Sequence, residues 1–229
     1  GGLGVTILAV DEATVALLEE GLAALGEDAP GSTLRARLLS RLAVELYYGP
    51  QRERSERLGA EALALARRSG DDRVLAYALN ARHVTLWRAD RLEERLGIAR
   101  EMAAVGRRTG DPESELQAWN WLITDLFEAG EIAGLDPEID HYERLAQDAR
   151  LPAFEWYAPL WRASRSALRG HLSAVEPLLE EAMRLGRRAG DPNVELVDQM
   201  RLGVRCMRGD FEAGHAQYAP MAAPKIGRS

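Results

Sequence analysis

At 229 residues, with 46% apolar and 28% charged side chains, the chain has the composition of an ordinary globular protein. A formal net charge of −7 argues against the basic face of a dedicated nucleic-acid-binding domain, and no run reaches the roughly 18 apolar residues of a membrane span. The single cysteine, Cys206, excludes an internal disulfide and suits a reducing, cytoplasmic setting.

Residues 1–10 read as a linker whose apolar run, Leu3 to Val10, is too short to classify and lacks the flanks of a signal peptide. Asp11-Glu12-Ala13-Thr14 then opens a helix to about Leu25, with Val15, Leu18 and Leu22 on one face. A second helix spans 34–48, turning Leu38, Leu39, Leu42, Leu46 and Tyr47 inward, and Gly49-Pro50 breaks it. From there helix pairs succeed one another. The segment 52–69 is followed by 72–88 with 92–109, 112–129 with 132–149, and 152–169 with 172–189. Pro137, Pro159 and Pro177 are expected to disturb their helices. A last helix starts at Pro192 and reaches Met207, a partial one ends near Tyr218, and 219–229 form a tail.

One phrase punctuates this order. Ala66-Arg67-Arg68-Ser69-Gly70-Asp71 recurs as Gly106-Arg107-Arg108-Thr109-Gly110-Asp111 and as Gly186-Arg187-Arg188-Ala189-Gly190-Asp191. Gly70 and Gly110 lie 40 residues apart, Gly190 lies 80 further on, and Ala149-Arg150-Leu151-Pro152 occupies the intervening register. Arginines in a last turn face the negative end of the helix dipole, and glycine adopts the left-handed conformation that ends a helix. Aspartate then caps the next helix, where proline is tolerated at the first position. The phrase means stop, turn, start. A column of arginine pairs binding phosphates is the alternative reading. A fixed period of this length marks stacked two-helix units. The expected fold is all-α, a right-handed superhelical solenoid of about five antiparallel helix pairs over residues 11–218.

Stacking by 40 sorts core from surface. Ala76, Leu116, Trp156 and Leu196 align, as do His83, Ile123, Ala163 and Gly203, then Trp87, Phe127, Ala167 and Met207. In the second helices Leu65, Val105, Leu145 and Leu185 align, beside a small-residue column of Ala66, Gly106, Ala146 and Gly186. These spacings define one helical face, expected to be buried. The small column is expected to let helices approach closely.

Helix pairs with small residues, an aromatic near the end of the first helix and proline at the unit boundary resemble tetratricopeptide repeats, at a period of 40 rather than the roughly 34 usual there. The segments 34–48, 60–68 and 90–96 resemble the helical-repeat region of large actinobacterial regulators. In that group an ATPase module precedes the repeats, and a LuxR-type DNA-binding or a cyclase domain accompanies them. The resemblance implies a sensor or scaffold segment of a signal-transduction ATPase or transcriptional activator. The chain then reads as a piece of a longer protein whose adjacent ATPase and output domains are its natural partners. Neither a phosphate-binding glycine loop nor a DNA-binding helix-turn-helix lies in these residues, so nucleotide and DNA binding do not carry over.

Catalysis is not expected. His83, His141, His171 and His215 lack metal-ligand spacing, Cys206 lies in a buried-looking stretch, and paired glutamates read as solvated helix faces. No cofactor is implied. A binding groove is the better expectation, because stacked helix pairs present their first helices along one extended face. Its predicted lining is Tyr77, Asn80, Gln117, Asn120, Trp121, Tyr157, Trp161, Arg162, Arg165 and Arg201. Aromatics interleaved with amides and arginines suit a protein segment, a peptide or a small effector. The two leading readings are a non-catalytic sensor or scaffold region of a multidomain regulator and a stand-alone adaptor that captures a peptide. A third is a small-molecule-binding or enzymatic domain with a hidden pocket. Self-association through a terminal repeat is compatible with all of them.

Overall fold

The structure, a computed structural model, describes residues 11–25, 33–212 and 215–216. The expected linker 1–10, with its apolar run, the end of the last partial helix at Tyr218 and the tail 219–229 lie outside the described residues. Within them the chain is all-helical. It divides into two compact units, residues 1–149 and 150–229.

The first unit holds α1 (Glu12–Leu25), α2 (Thr33–Tyr47), α3 (Arg52–Ser69), α4 (Asp72–Thr85), α5 (Leu92–Thr109), α6 (Pro112–Glu128) and α7 (Leu135–Ala149). Each helix packs on the next, and α4 packs also on α2 and α6. Neighbours both in sequence and one hairpin away are what stacked helix pairs require. The core includes Ala36, Leu39, Leu42, Leu46, Leu79, Met102, Leu116, Ile123 and Ile139, all at most 2% exposed. Truncating any of the leucines would cost about 2–5 kcal/mol.

The repeated phrase does what its chemistry demands. Gly70, Gly110 and Gly190 take φ of 68°, 62° and 69°. Asp71 accepts from the amides of Arg73 and Val74, Asp111 from those of Glu113 and Ser114, and Asp191 from that of Asn193. In the degenerate copy Arg150 stands in glycine's place at φ 53°. The arginines stand in the last turns of α3 and α5 as expected, and two of them also reach carboxylates. Arg108 grips Asp72 with two hydrogen bonds of 2.8 and 2.6 Å, and Arg67 reaches Glu101 at 2.7 Å. Their partners are carboxylates on other helices, which offer a full charge where a carbonyl offers a dipole. The Arg108 hydrogen bond holds the Asp72 carboxyl below its ordinary pKa.

The small-residue column has a packing cause. A Cβ on Gly106 would lie 2.7 Å from the Glu115 amide nitrogen, and one on Gly186 would lie 2.5 Å from Val194 Cγ2. Backbone and side chain of the next helix occupy the space a side chain would need.

The second unit holds α8 (Pro152–Glu155), α9 (Tyr157–Leu168), α10 (Val175–Ala189) and α11 (Leu196–Met207). α10 packs against the other three. The single helix expected over 152–169 is split at Trp156. Pro159 lacks the amide that would bond the Glu155 carbonyl four residues back, and its ring crowds that carbonyl. A 3-10 turn, Leu172–Ala174, precedes Pro177 and delays α10, and another, Pro192–Glu195, delays α11. In the first unit α4 stops at Thr85 rather than 88, and α7 begins at Leu135 rather than 132.

The core columns hold for Ala76, Leu116, Trp156, His83, Ile123, Ala163, Ala167, Leu65, Val105 and the four small residues, all buried. Leu145, Leu185, Leu196, Trp87 and Phe127 are only half-buried, Gly203 is exposed, and Met207 is 57% exposed. Cys206, expected inside, is exposed as well. α11 seats Val197 and Val204 in the core. At 100° per residue, Cys206 turns to the opposite side from Val204.

Candidate functional site

The most organised polar assembly lies in the first unit, where α4, α5 and α6 meet. Residues three and four apart on a helix share a face, so Asn80 and His83 of α4 look one way, as do Trp121 and Asp125 of α6. His83 Nε2 and Asp125 Oδ2 are 2.8 Å apart, and both side chains are wholly buried. Since a carboxylate can only accept, the imidazole donates from Nε2. Arg95, from α5, is wholly buried too. Its guanidinium bonds Glu128 and lies 3.6 Å from Asp125 Oδ1.

Aromatic rings enclose this cluster. The His83 ring stacks on Trp121 at 4.7 Å, Trp87 meets Trp121 edge-on at 5.3 Å, and Arg95 lies over the Trp87 ring at 5.0 Å. Trp121 donates its indole N–H to Asn80 Oδ1 at 2.7 Å. Tyr47 donates to the Trp87 carbonyl at 3.0 Å and accepts from Arg52 at 2.9 Å. Burial raises the Tyr47 pKa against the lowering pull of Arg52 and Arg95. Burial lowers the pKa of His83 and outweighs the raising effect of the hydrogen bond it donates to Asp125. Arg95 already supplies Asp125 with a positive partner, so a second charge on His83 has little left to gain. His83 is therefore neutral at pH 7.

The predicted groove residues fall in both units. In the first, Tyr77 is half-buried beneath the Arg37 guanidinium, 5.6 Å from its ring centre, and Trp121 is half-buried. Asn80, Gln117 and Asn120 are buried rather than lining an open surface. In the second unit Tyr157 is half-buried, stacked on Trp156 at 3.9 Å, and Arg162 is half-buried. Trp161 and Arg165 are interior, at 5% and 3% exposure. Those helices have neighbours on more than one side, so a face that looked free by spacing is covered. Arg201 bonds Glu176 at 2.8 Å and Asp198 at 2.7 Å. It borders an open groove of about 500 Å³ with Glu180, Met183, Arg184 and Arg187.

Asp125, Arg95 and Trp87 were not among the predicted site residues. A signal for them exists: His83 is polar at a core column, and a buried polar group needs a partner. That partner, Asp125, is 42 residues on, as Asn80 and Trp121 are 41 apart and Tyr47 and Trp87 are 40 apart. The inter-repeat contacts carry the period of the sequence. Of the other histidines, His141 meets Trp119 edge-on at 4.8 Å, and His171 and His215 are exposed. Among the described residues no group of three or more His, Cys, Asp or Glu could hold a metal ion. No described helix is long and apolar enough to cross a membrane.

No protein-family model matches the chain, and no curated protein matches it. Solved structures do. The crystal structure of BtubC (BKLC) from P. vanneervenii is similar at a TM-score of 0.67 with 14% identity, over 95% of each chain. At that identity the likeness concerns the fold alone.

Proposed function

We propose that the chain is a non-catalytic binding module built of tetratricopeptide-like superhelical repeats, acting as a sensor or scaffold segment of a larger signalling or transcriptional regulator. The observation that carries this reading is Trp121. Its indole N–H is committed to Asn80 and one face to His83, yet the ring stays half-buried. A large aromatic held in one orientation loses little entropy on binding and presents apolar area to a protein segment or small effector. Burial of His83 supports a non-catalytic role, because a general base must touch the proton it removes. A peptide-capturing adaptor is the neighbouring reading.

A thermal-shift screen against metabolites, nucleotides, sugars and short peptides tests the reading, since a ligand raises Tm by mass action. The expected result is a stabilising compound whose shift disappears in Trp121→Ala and shrinks in Tyr77→Ala, while both variants still unfold cooperatively. A shift unchanged in both variants overturns the Trp121 site, and no shift from any compound decides for a scaffold that contacts only adjacent domains over a sensor. Loss only in Arg187→Glu moves the site to the second unit and overturns the Trp121 reading.

A further inference from the structure

The three charged or titratable side chains at the centre of the first unit leave polar atoms unused. His83, Arg95 and Asp125 are each at 0% exposure. Arg95 Nε and Nη1, His83 Nδ1 and Asp125 Oδ1 have no hydrogen-bond partner. The 3.6 Å between Arg95 Nη2 and Asp125 Oδ1 lies beyond hydrogen-bonding range. Four orphaned atoms on three side chains, concentrated where three helices meet, are not what a finished protein interior tolerates.

Their chemistry restricts what can satisfy them. Arg95 Nε and Nη1 are donors only, and Asp125 Oδ1 is an acceptor only. With Nε2 donating to Asp125, the neutral imidazole has an acceptor at Nδ1. The site therefore asks for a species that accepts from the guanidinium and donates to a carboxylate within one small space. An anion would meet the carboxylates of Asp125 and Glu128, and a cation would meet Arg95. A neutral molecule with both capacities meets neither objection.

We propose that His83, Arg95 and Asp125 form an internal hydration site. Ordered water there accepts from Arg95 Nε or Nη1 and donates to Asp125 Oδ1 or His83 Nδ1. The water joins α4, α5 and α6 through one polar hub, directly behind the ring of Trp121. It satisfies the ion pair without exposing it.

A high-resolution crystal structure of the chain, grown near neutral pH, tests this. The expected result is a solvent peak about 3 Å from an Arg95 nitrogen and about 3 Å from Asp125 Oδ1 or His83 Nδ1. Direct pairing of Arg95 with Asp125 and no such peak overturns the proposal. Bromide-soaked crystals separate water from an anion: an anomalous peak at that position also overturns it. In solution, a cross-relaxation signal between the Arg95 Nε proton and a long-lived water is expected in the unmodified protein. Its absence, with the Nε proton assigned and slow to exchange, counts against the site independently of the crystal.

Discussion

The imidazole of His83 lies nearly parallel to the indole of Trp121, centres 4.7 Å apart and planes 18° from parallel, although 38 residues separate them in the chain. Behind this stack the same imidazole holds Asp125. One histidine thus connects a half-buried aromatic surface to a wholly buried charge cluster, and the consequences can be measured.

Removing Asp125 should be more damaging than its size suggests. Asp125→Ala leaves Arg95 buried with one carboxylate fewer and His83 Nε2 without an acceptor. The expected loss is about 3–5 kcal/mol, read from the urea midpoint of unfolding. Asp125→Asn, which keeps an acceptor, should lose less.

His83 makes stability depend on pH in a defined direction. Its folded pKa is lowered from 6.5 by burial, so below pH 6.5 the unfolded chain takes up a proton that the folded chain refuses. This contribution is complete above that pH, falls as pH drops toward the folded pKa, and is constant below it. Tm measured from pH 8 to pH 5 should fall across the lower part of that range. In His83→Gln the same scan should be flatter.

Arg150 occupies a left-handed conformation at φ 53°, where the corresponding copies have glycine. The strain of a side chain there is about 1 kcal/mol, partly offset by the greater flexibility of an unfolded glycine. Arg150→Gly should therefore leave stability unchanged or raise it by up to about 1 kcal/mol. Gly110→Ala should lower it by a similar amount.

The two tight glycines should respond differently to rescue. Gly106→Ala drives a methyl against backbone atoms of Glu115, and Gly186→Ala drives one against the Val194 side chain. Each should cost about 1–3 kcal/mol. Adding Val194→Ala to Gly186→Ala should recover part of the loss, whereas trimming Glu115 should not rescue Gly106→Ala. Thermal unfolding of the four variants decides this.

What the residues alone determined was whatever local chemistry controls. The turns at Gly70, Gly110 and Gly190, the caps at Asp71, Asp111 and Asp191, and the succession of helix pairs depend on interactions within a few residues. Ala76, Leu116 and Trp156, which share one register of the 40-residue period, are all buried as that register predicts. Pro159 announced a disturbance, and α8 ends four residues before it.

The tertiary structure decided which polar side chains meet and which faces stay open. A helix turns 100° per residue, so a small error in phase moves a side chain from groove to core, as with Asn80, Gln117 and Trp161. Arg95 alone reads as one more arginine among charged neighbours. It becomes the centre of a buried cluster because α4 and α6 close over it, carrying His83 and Asp125, about one 40-residue period apart, against its guanidinium. Local propensity acts along the helix, whereas charge pairing at this junction acts across three of them, and only packing sets those distances.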